Sequence, residues 1–145
     1  MVREVNPHVP IFRAGIEPEA WMDAVTGASR PLSQPPFGAA GAFCGLGNPQ
    51  SFRRTLQRLG VEPAAWFEFD DHHRYRPREL RSMARQAGSA DATALVTTEK
   101  DAVNLCAGFR DATAPLDVYW LKVRMTIDRE AEFLSLVAAL FAIRQ

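Results

Sequence analysis

Short apolar runs alternate with helix-like periodicities along most of the chain. The apolar runs occupy residues 39–44, 66–69, 94–97 and 118–123. Each run has the length of a buried strand. After the first run, Asn48 and Pro49 are typical of a helix cap and a first helical position, and Phe52 and Leu56 begin a helical period that Gly60 ends. The pattern predicts a strand followed by an amphipathic helix.

Three further helices are predicted after the later strands. One begins near Pro77, and Thr98 with Asp101 three positions later has the spacing of a capping box that starts a short helix. Asp128 is expected to cap the last helix. Its apolar run over 133–143 predicts a well-buried helix, because a membrane-spanning helix needs ~20 such residues.

The alternation of strands and helices predicts an α/β fold. Four repeats favour a Rossmann-like three-layer sandwich, with a mostly parallel sheet of about four strands and helices on both faces. We assign this domain to residues 38–145. Residues 1–37 hold six of the ten prolines and no helical period, so they predict a linker arm in the form of a short β-hairpin, with a strand near 9–13 and a turn at Thr26-Gly27.

Composition excludes several classes of protein. The chain of 145 residues has a formal net charge of zero, which does not indicate a nucleic-acid partner. Cys44 and Cys106 lie far apart without metal-ligand spacing, so we expect reduced cytosolic thiols and no metal site. Residues 53–85 contain eight arginines against five acidic residues. That surplus could favour an anionic membrane surface or a phosphorylated lipid, although a solvated helix face is the commoner explanation.

Three polar segments follow predicted strands, at the sheet edge where ligands gather in such folds. The first is a turn containing Gly45, Gly47 and Asn48. Glycines allow a backbone to approach a phosphate closely, and a helix start offers free N–H groups. The sequence GxGN is a weaker sign of nucleotide binding than a complete GxGxxG. Either a tight turn or a nucleotide contact explains it.

The second and third segments carry titratable groups. Asp71, His72 and His73 lie at a predicted strand end, where a carboxylate can orient an imidazole for proton handling. The alternative is a polar loop that caps the following helix. The third segment places Glu99 and Lys100 after Thr98. Their side chains either face a cleft or are solvated, and the sequence favours neither.

Taken in order, these segments resemble the C-terminal part of the tetraacyldisaccharide 4'-kinase family. The matching stretches are Ile11-Phe12-Arg13-Ala14, Glu17-Pro18-Glu19-Ala20-Trp21, Gly27, Pro31-Leu32, Phe43-Cys44-Gly45-Leu46-Gly47-Asn48-Pro49 with Phe52, Phe69-Asp70-Asp71-His72-His73-Arg74-Tyr75 and Thr97-Thr98-Glu99-Lys100-Asp101-Ala102-Val103. The likeness extends over roughly residues 9–140. Each stretch alone is weak, but their order and spacing together are specific.

The resemblance implies a lipid kinase that transfers the γ-phosphate of ATP to the 4'-hydroxyl of the tetraacyldisaccharide 1-phosphate precursor of lipid A. It implies two α/β domains joined by a two-stranded linker, with ATP and Mg²⁺ held mainly by an N-terminal P-loop domain. His72 would partner the aspartate base of that domain and Asp71 would orient the imidazole. His73 is the second candidate for the role of His72. From their position after predicted strands, rather than from the resemblance, the candidates for nucleotide contact are Gly45, Gly47, Asn48, Thr98, Glu99 and Lys100.

The chain departs from the family pattern, because its 145 residues contain no GxxxxGK[ST]. Phosphoryl transfer depends on that loop, its lysine and a metal, so we expect the chain to be inactive alone. The intact enzyme would associate peripherally with the cytoplasmic face of the bacterial inner membrane.

Two other functions remain open at this stage. Asp71-His72-His73 is similar to the signature of DHH-type metal-dependent phosphoesterases, although Asp91 and Asp117 precede strands and leave the ligand set incomplete. A non-catalytic Rossmann-like interaction module, with an arm that swaps between copies, is the other alternative.

Overall fold

A computed structural model of the chain describes residues 9–142, without the side chain of residue 142. The strands in this part are β1 (Ala14–Asp23), β2 (Ser29–Pro31), β3 (Ala40–Cys44), β4 (Ala65–Glu68), β5 (Ala94–Thr98) and β6 (Asp117–Ile127). The helices are α1 (Pro49–Arg58), α2 (Pro77–Gly88), α3 (Glu99–Ala102), α4 (Phe109–Thr113) and α5 (Glu130–Ala142). Residues 1–8 of the predicted arm and residue 143 of the predicted last helix lie outside the described range.

The strands form one mostly parallel sheet in the order β2-β1-β6-β5-β3-β4. β3 pairs in parallel with β4 and β5, and β5 pairs in parallel with β6, whereas β1 and β2 form an antiparallel hairpin. The α/β prediction is therefore confirmed. The sheet has six strands in residues 9–142 rather than about four, because the hairpin predicted in the arm joins it. The first strand of this hairpin is Ala14–Asp23, so the predicted strand near residues 9–13 is wrong. The buried indole of Trp21 in β1 packs in the same core layer as β3 and β5.

Strand β5 separates two apolar layers. Successive side chains of a strand point to opposite faces of the sheet. Ala94 and Val96 pack with Phe52 of α1, whereas Leu95 packs in the second layer with Leu80 of α2. Helices therefore cover both faces, as the three-layer prediction required.

The chain divides into two compact units. The larger is Pro18–Val123, and it contains all three polar segments. The smaller combines Met1–Glu17 with Arg124–Gln145. Among residues 9–142 no helix is both long and apolar enough to cross a membrane.

The smaller unit differs from the prediction in two respects. Helix α5 is not well buried: Leu134 and Phe141 are exposed, and Phe133, which packs edge-on against Phe12, is half-buried. Apolar periodicity predicted the helix but could not show what would cover it. The second difference concerns Asp128, which was expected to cap this helix. It lies two positions before the first residue of α5, and its carboxylate accepts a hydrogen bond from the main-chain N–H of Arg13 at 2.8 Å.

Candidate functional site

Gly45 brings the first polar segment against the other two. A β-carbon at this position would lie 2.8 Å from the carbonyl oxygen of Asp70, 3.1 Å from Asp101 Oδ1 and 3.3 Å from the β-carbon of His73. Any side chain would therefore separate the GxGN turn from the histidine loop, residues 70–75. The close approach at Gly45 is therefore to the protein itself, and contact of this turn with a phosphate stays a prediction.

Gly47 and Asn48 are placed differently from Gly45. Both are exposed, and a β-carbon on Gly47 would meet no atom within 4 Å. Asn48 stands at the N-cap of α1 as predicted, with Pro49 in the first turn, but its side chain makes no capping hydrogen bond. Pro49, in the first turn of α1, lines a pocket together with Asp70 and His73, so the start of this helix adjoins the histidine loop.

Asp101 joins the three segments and was not predicted as a site residue. Its side chain is fully buried. Oδ1 accepts hydrogen bonds from the main-chain N–H of Gly45 at 3.0 Å and from the hydroxyl of Tyr75 at 2.9 Å, and Oδ2 accepts one from the hydroxyl of Thr98 at 2.6 Å. Burial and the nearby Asp101 raise the pKa of the Tyr75 hydroxyl, so it remains a donor.

Thr98 has the capping role that the sequence predicted. Its hydroxyl oxygen accepts a hydrogen bond from the main-chain N–H of Asp101 at 3.1 Å, which caps α3. This capping explains by itself why an aspartate follows three residues after Thr98. No local pattern therefore signals the longer-range bonds of Asp101.

Lys100 connects the third segment to the histidine loop. Its ammonium forms an ion pair with Asp71, and a hydrogen bond from Lys100 lowers the pKa of that carboxyl group. His72 Nε2 lies 3.7 Å from the other oxygen of Asp71. The two catalytic candidates, Asp71 and His72, therefore lie beside Lys100, a candidate for nucleotide contact. Glu99 is exposed at the first position of α3.

The two adjacent histidines have different surroundings. The side chain of His72 is 77% exposed, and its φ of 62° is in the left-handed region. That of His73 is 24% exposed, its ring stacks on Phe69 with 4.5 Å between centroids, and its Nε2 lies 3.1 Å from Glu79 Oε2. His73 therefore packs against neighbouring side chains, whereas most of the His72 side chain is exposed to solvent.

An open pocket of about 370 Å³ adjoins the histidine loop. Its lining residues are Pro49, Glu68, Phe69, Asp70 and His73. They come from the start of α1, the end of β4 and the loop that follows it. In residues 9–142 no group of three or more His, Cys, Asp or Glu side chains is arranged to hold a metal ion.

Comparisons with known proteins identify the family of this chain. The family model described as tetraacyldisaccharide-1-P 4'-kinase matches residues 2–142. A tetraacyldisaccharide 4'-kinase from Methylorubrum extorquens is 43% identical over 76% of this chain and 30% of its own length. One from Syntrophus aciditrophicus is 34% identical over 88% of this chain and 33% of its own length.

A solved structure shows the same fold. It is LpxK from Aquifex aeolicus in complex with ATP, with a TM-score of 0.53 and 22% identity over 96% of this chain and 40% of that protein. This chain thus spans about a third of the length of the curated relatives described above. The family model covers nearly all of it, and the chain belongs to the tetraacyldisaccharide-1-P 4'-kinase family.

Proposed function

We propose that this chain is the C-terminal portion of a kinase that transfers the γ-phosphate of ATP to the 4'-hydroxyl of the tetraacyldisaccharide 1-phosphate lipid A precursor. The observation that carries the proposal is the convergence of three strand-end segments at one edge, where His72 is exposed beside Asp71. Family membership supplies the reaction and the site geometry supplies the surface that would face the nucleotide.

In this proposal His72 assists an aspartate base carried by a second domain. An exposed imidazole next to a carboxylate can accept or relay a proton near neutral pH. In this proposal the ion pair with Lys100 keeps the Asp71 carboxylate beside the imidazole, where it orients the ring. The exposed first turn of α1, with Gly47 and Asn48, and the start of α3, with Thr98 and Glu99, would border the ATP phosphates.

The remaining chemistry is assigned to an N-terminal P-loop domain. Phosphoryl transfer is mostly positioning and neutralisation of charge by a phosphate-binding loop, a lysine and Mg²⁺. These 145 residues contain no GxxxxGK[ST], so the P-loop domain would hold most of the ATP and Mg²⁺. The lipid substrate implies peripheral association of the whole enzyme with the cytoplasmic face of the inner membrane.

The smaller unit provides a surface for that second domain. Of the ten large apolar side chains that are exposed in residues 9–142, eight belong to this unit: Val9, Ile11, Ile16, Met125, Leu134, Leu136, Leu140 and Phe141. Such a concentration is typical of an interface. The relatives are about three times as long as the matched segment, so they have the residues to cover it.

A reconstitution assay tests the proposal. The chain is incubated with ATP, Mg²⁺ and tetraacyldisaccharide 1-phosphate, with and without the P-loop segment of the Methylorubrum extorquens relative. We expect 4'-phosphorylated product only when this chain and the P-loop segment are both present. The His72→Ala variant should lower kcat roughly 100-fold or more, as loss of a general acid–base group does. The exposed Arg58→Ala variant is the control.

Two results would contradict the proposal. One is product formation by the chain alone, which would remove the need for a P-loop domain. The other is unchanged kcat in His72→Ala, because the histidine would then have no part in the reaction.

A further inference from the structure

We propose that Asp101 is a positioning residue that fixes the histidine loop against the GxGN turn. The part that concerns catalysis rests on the proposed function, whereas the part that concerns the loop does not. Asp101 is fully buried, and its three hydrogen-bond donors come one each from the GxGN turn, the histidine loop and the end of β5. A single carboxylate thus connects all three polar segments.

Helix capping does not account for this arrangement. The cap of α3 needs only the bonds between Thr98 and Asp101. The bonds to Gly45 and Tyr75 extend 56 and 26 residues along the sequence and contribute nothing to the cap. A buried carboxylate also carries a desolvation cost, which is offset here only because each of these donors points at it.

The histidine loop is held at both ends by groups that Asp101 binds. At its start, Asp70 and His73 pack on Gly45, whose N–H donates to Asp101. At its end, Tyr75 donates its hydroxyl to Asp101, and its ring packs edge-on against Phe69 at 5.2 Å. His72 lies between these anchors and has no comparable packing of its own.

Loss of the Asp101 carboxylate should therefore release the loop while the sheet stays formed. His72 adopts a φ that a non-glycine residue rarely takes unless the flanking backbone is held. Without both anchors the loop would relax, and the imidazole would lose its fixed place beside Asp71. The loss of order would be confined to the histidine loop, whereas a general loss of stability would affect the whole domain.

Amide hydrogen exchange on the isolated chain separates these possibilities. In Asp101→Ala we expect exchange at Gly45 and at residues 71–75 to accelerate tenfold or more relative to the amides of β5 and β6. Asp101→Asn keeps an oxygen that can accept from Gly45 and Tyr75, so it should restore most of the protection. Thr113→Val, which removes another fully buried polar side chain, is the matched control.

The kinase assay provides a second readout on the same variants. In the reconstituted enzyme, Asp101→Ala should lower kcat at least tenfold with little change in the KM for ATP, and Asp101→Asn should recover most of it. If Asp101→Ala does not fold, Tyr75→Phe removes one anchor only, and the same local acceleration at residues 71–75 is expected.

The outcomes are separable. For Thr113→Val we expect acceleration that is not concentrated at residues 71–75. The same uniform acceleration in Asp101→Ala would mean that Asp101 only stabilises the fold, and it would overturn the proposal. Normal kcat in Asp101→Ala with an active wild-type complex would also overturn it and leave the kinase assignment intact. An inactive wild-type complex would refute the proposed function, and the exchange experiment would still decide the role of Asp101 in the loop.

Discussion

Substitution of Gly45 by alanine tests whether the three segments pack as the structure shows. The new β-carbon would lie 2.8 Å from the carbonyl oxygen of Asp70, closer than real β-carbons approach. Because this neighbour is backbone, relief requires the histidine loop to move. Overpacking of this kind costs roughly 1–3 kcal/mol of unfolding free energy. Gly45 has no left-handed φ, so the effect arises from space alone.

Gly47→Ala is the matched control. A β-carbon there meets nothing within 4 Å, and the backbone is not left-handed. Alanine should leave stability unchanged or raise it by about 0.4–1 kcal/mol, since it restricts the unfolded chain. Both variants belong to the same turn, two residues apart, so their difference reports the packing at Gly45.

Urea denaturation followed by circular dichroism measures both variants. For a slope of about 2 kcal/mol per molar urea, a loss of about 2 kcal/mol lowers the midpoint by roughly 1 M. The slope itself should not change, because the fold is retained. Equal midpoints for Gly45→Ala and Gly47→Ala would refute the close approach of the turn to the histidine loop.

Two further predictions concern titratable groups. Lys100→Met should raise the pKa of Asp71 toward its ordinary value, measured by carboxyl ¹³C NMR, with Lys122→Met, whose partner is Glu19, as the control. The pKa of Asp71 is lower in the folded chain than in the unfolded chain, so the ion pair stabilises the fold at pH values above the unfolded pKa. This stabilisation is lost as the pH falls through the folded pKa. An unchanged Asp71 titration in Lys100→Met would contradict the role of the ion pair. Burial raises the pKa of the Cys44 thiol to about 12, so this thiol carries almost no reactive thiolate at about pH 8. A disulfide reagent should therefore label half-buried Cys106 first and Cys44 only in denaturant. Equally fast labelling of both cysteines in the folded chain would show that Cys44 is not protected.

The tertiary structure distinguishes residues that look equivalent in the sequence. His72 and His73 are adjacent and identical in type, so their position after a strand makes both equally good candidates for the catalytic histidine. Only the stacking on Phe69 and the contact with Glu79 show that His73 is held internally. Gly45 and Gly47 likewise belong to one motif, but only the former needs to be glycine for space.

Local patterns determined most of the strands and helices, because side-chain periodicity, caps and glycine stops act over a few residues. They did not predict α4, and they placed the first strand of the arm near residues 9–13 instead of at Ala14–Asp23. They also placed three polar segments at the ends of parallel strands. The predictions for the arm and for α5 needed long-range information: the hairpin of β1 and β2 belongs to the sheet, and the apolar last helix is exposed rather than buried.

The role of Asp101 was decided by the tertiary structure alone. In the sequence it is the third residue after a helix cap, which local rules explain completely. Its bonds to Gly45 and Tyr75 require that β3 pairs with β5 and that the histidine loop packs against the end of β3. Sequence periodicity fixes where elements begin and end, whereas the partner of a buried carboxylate depends on which strand ends the fold brings together.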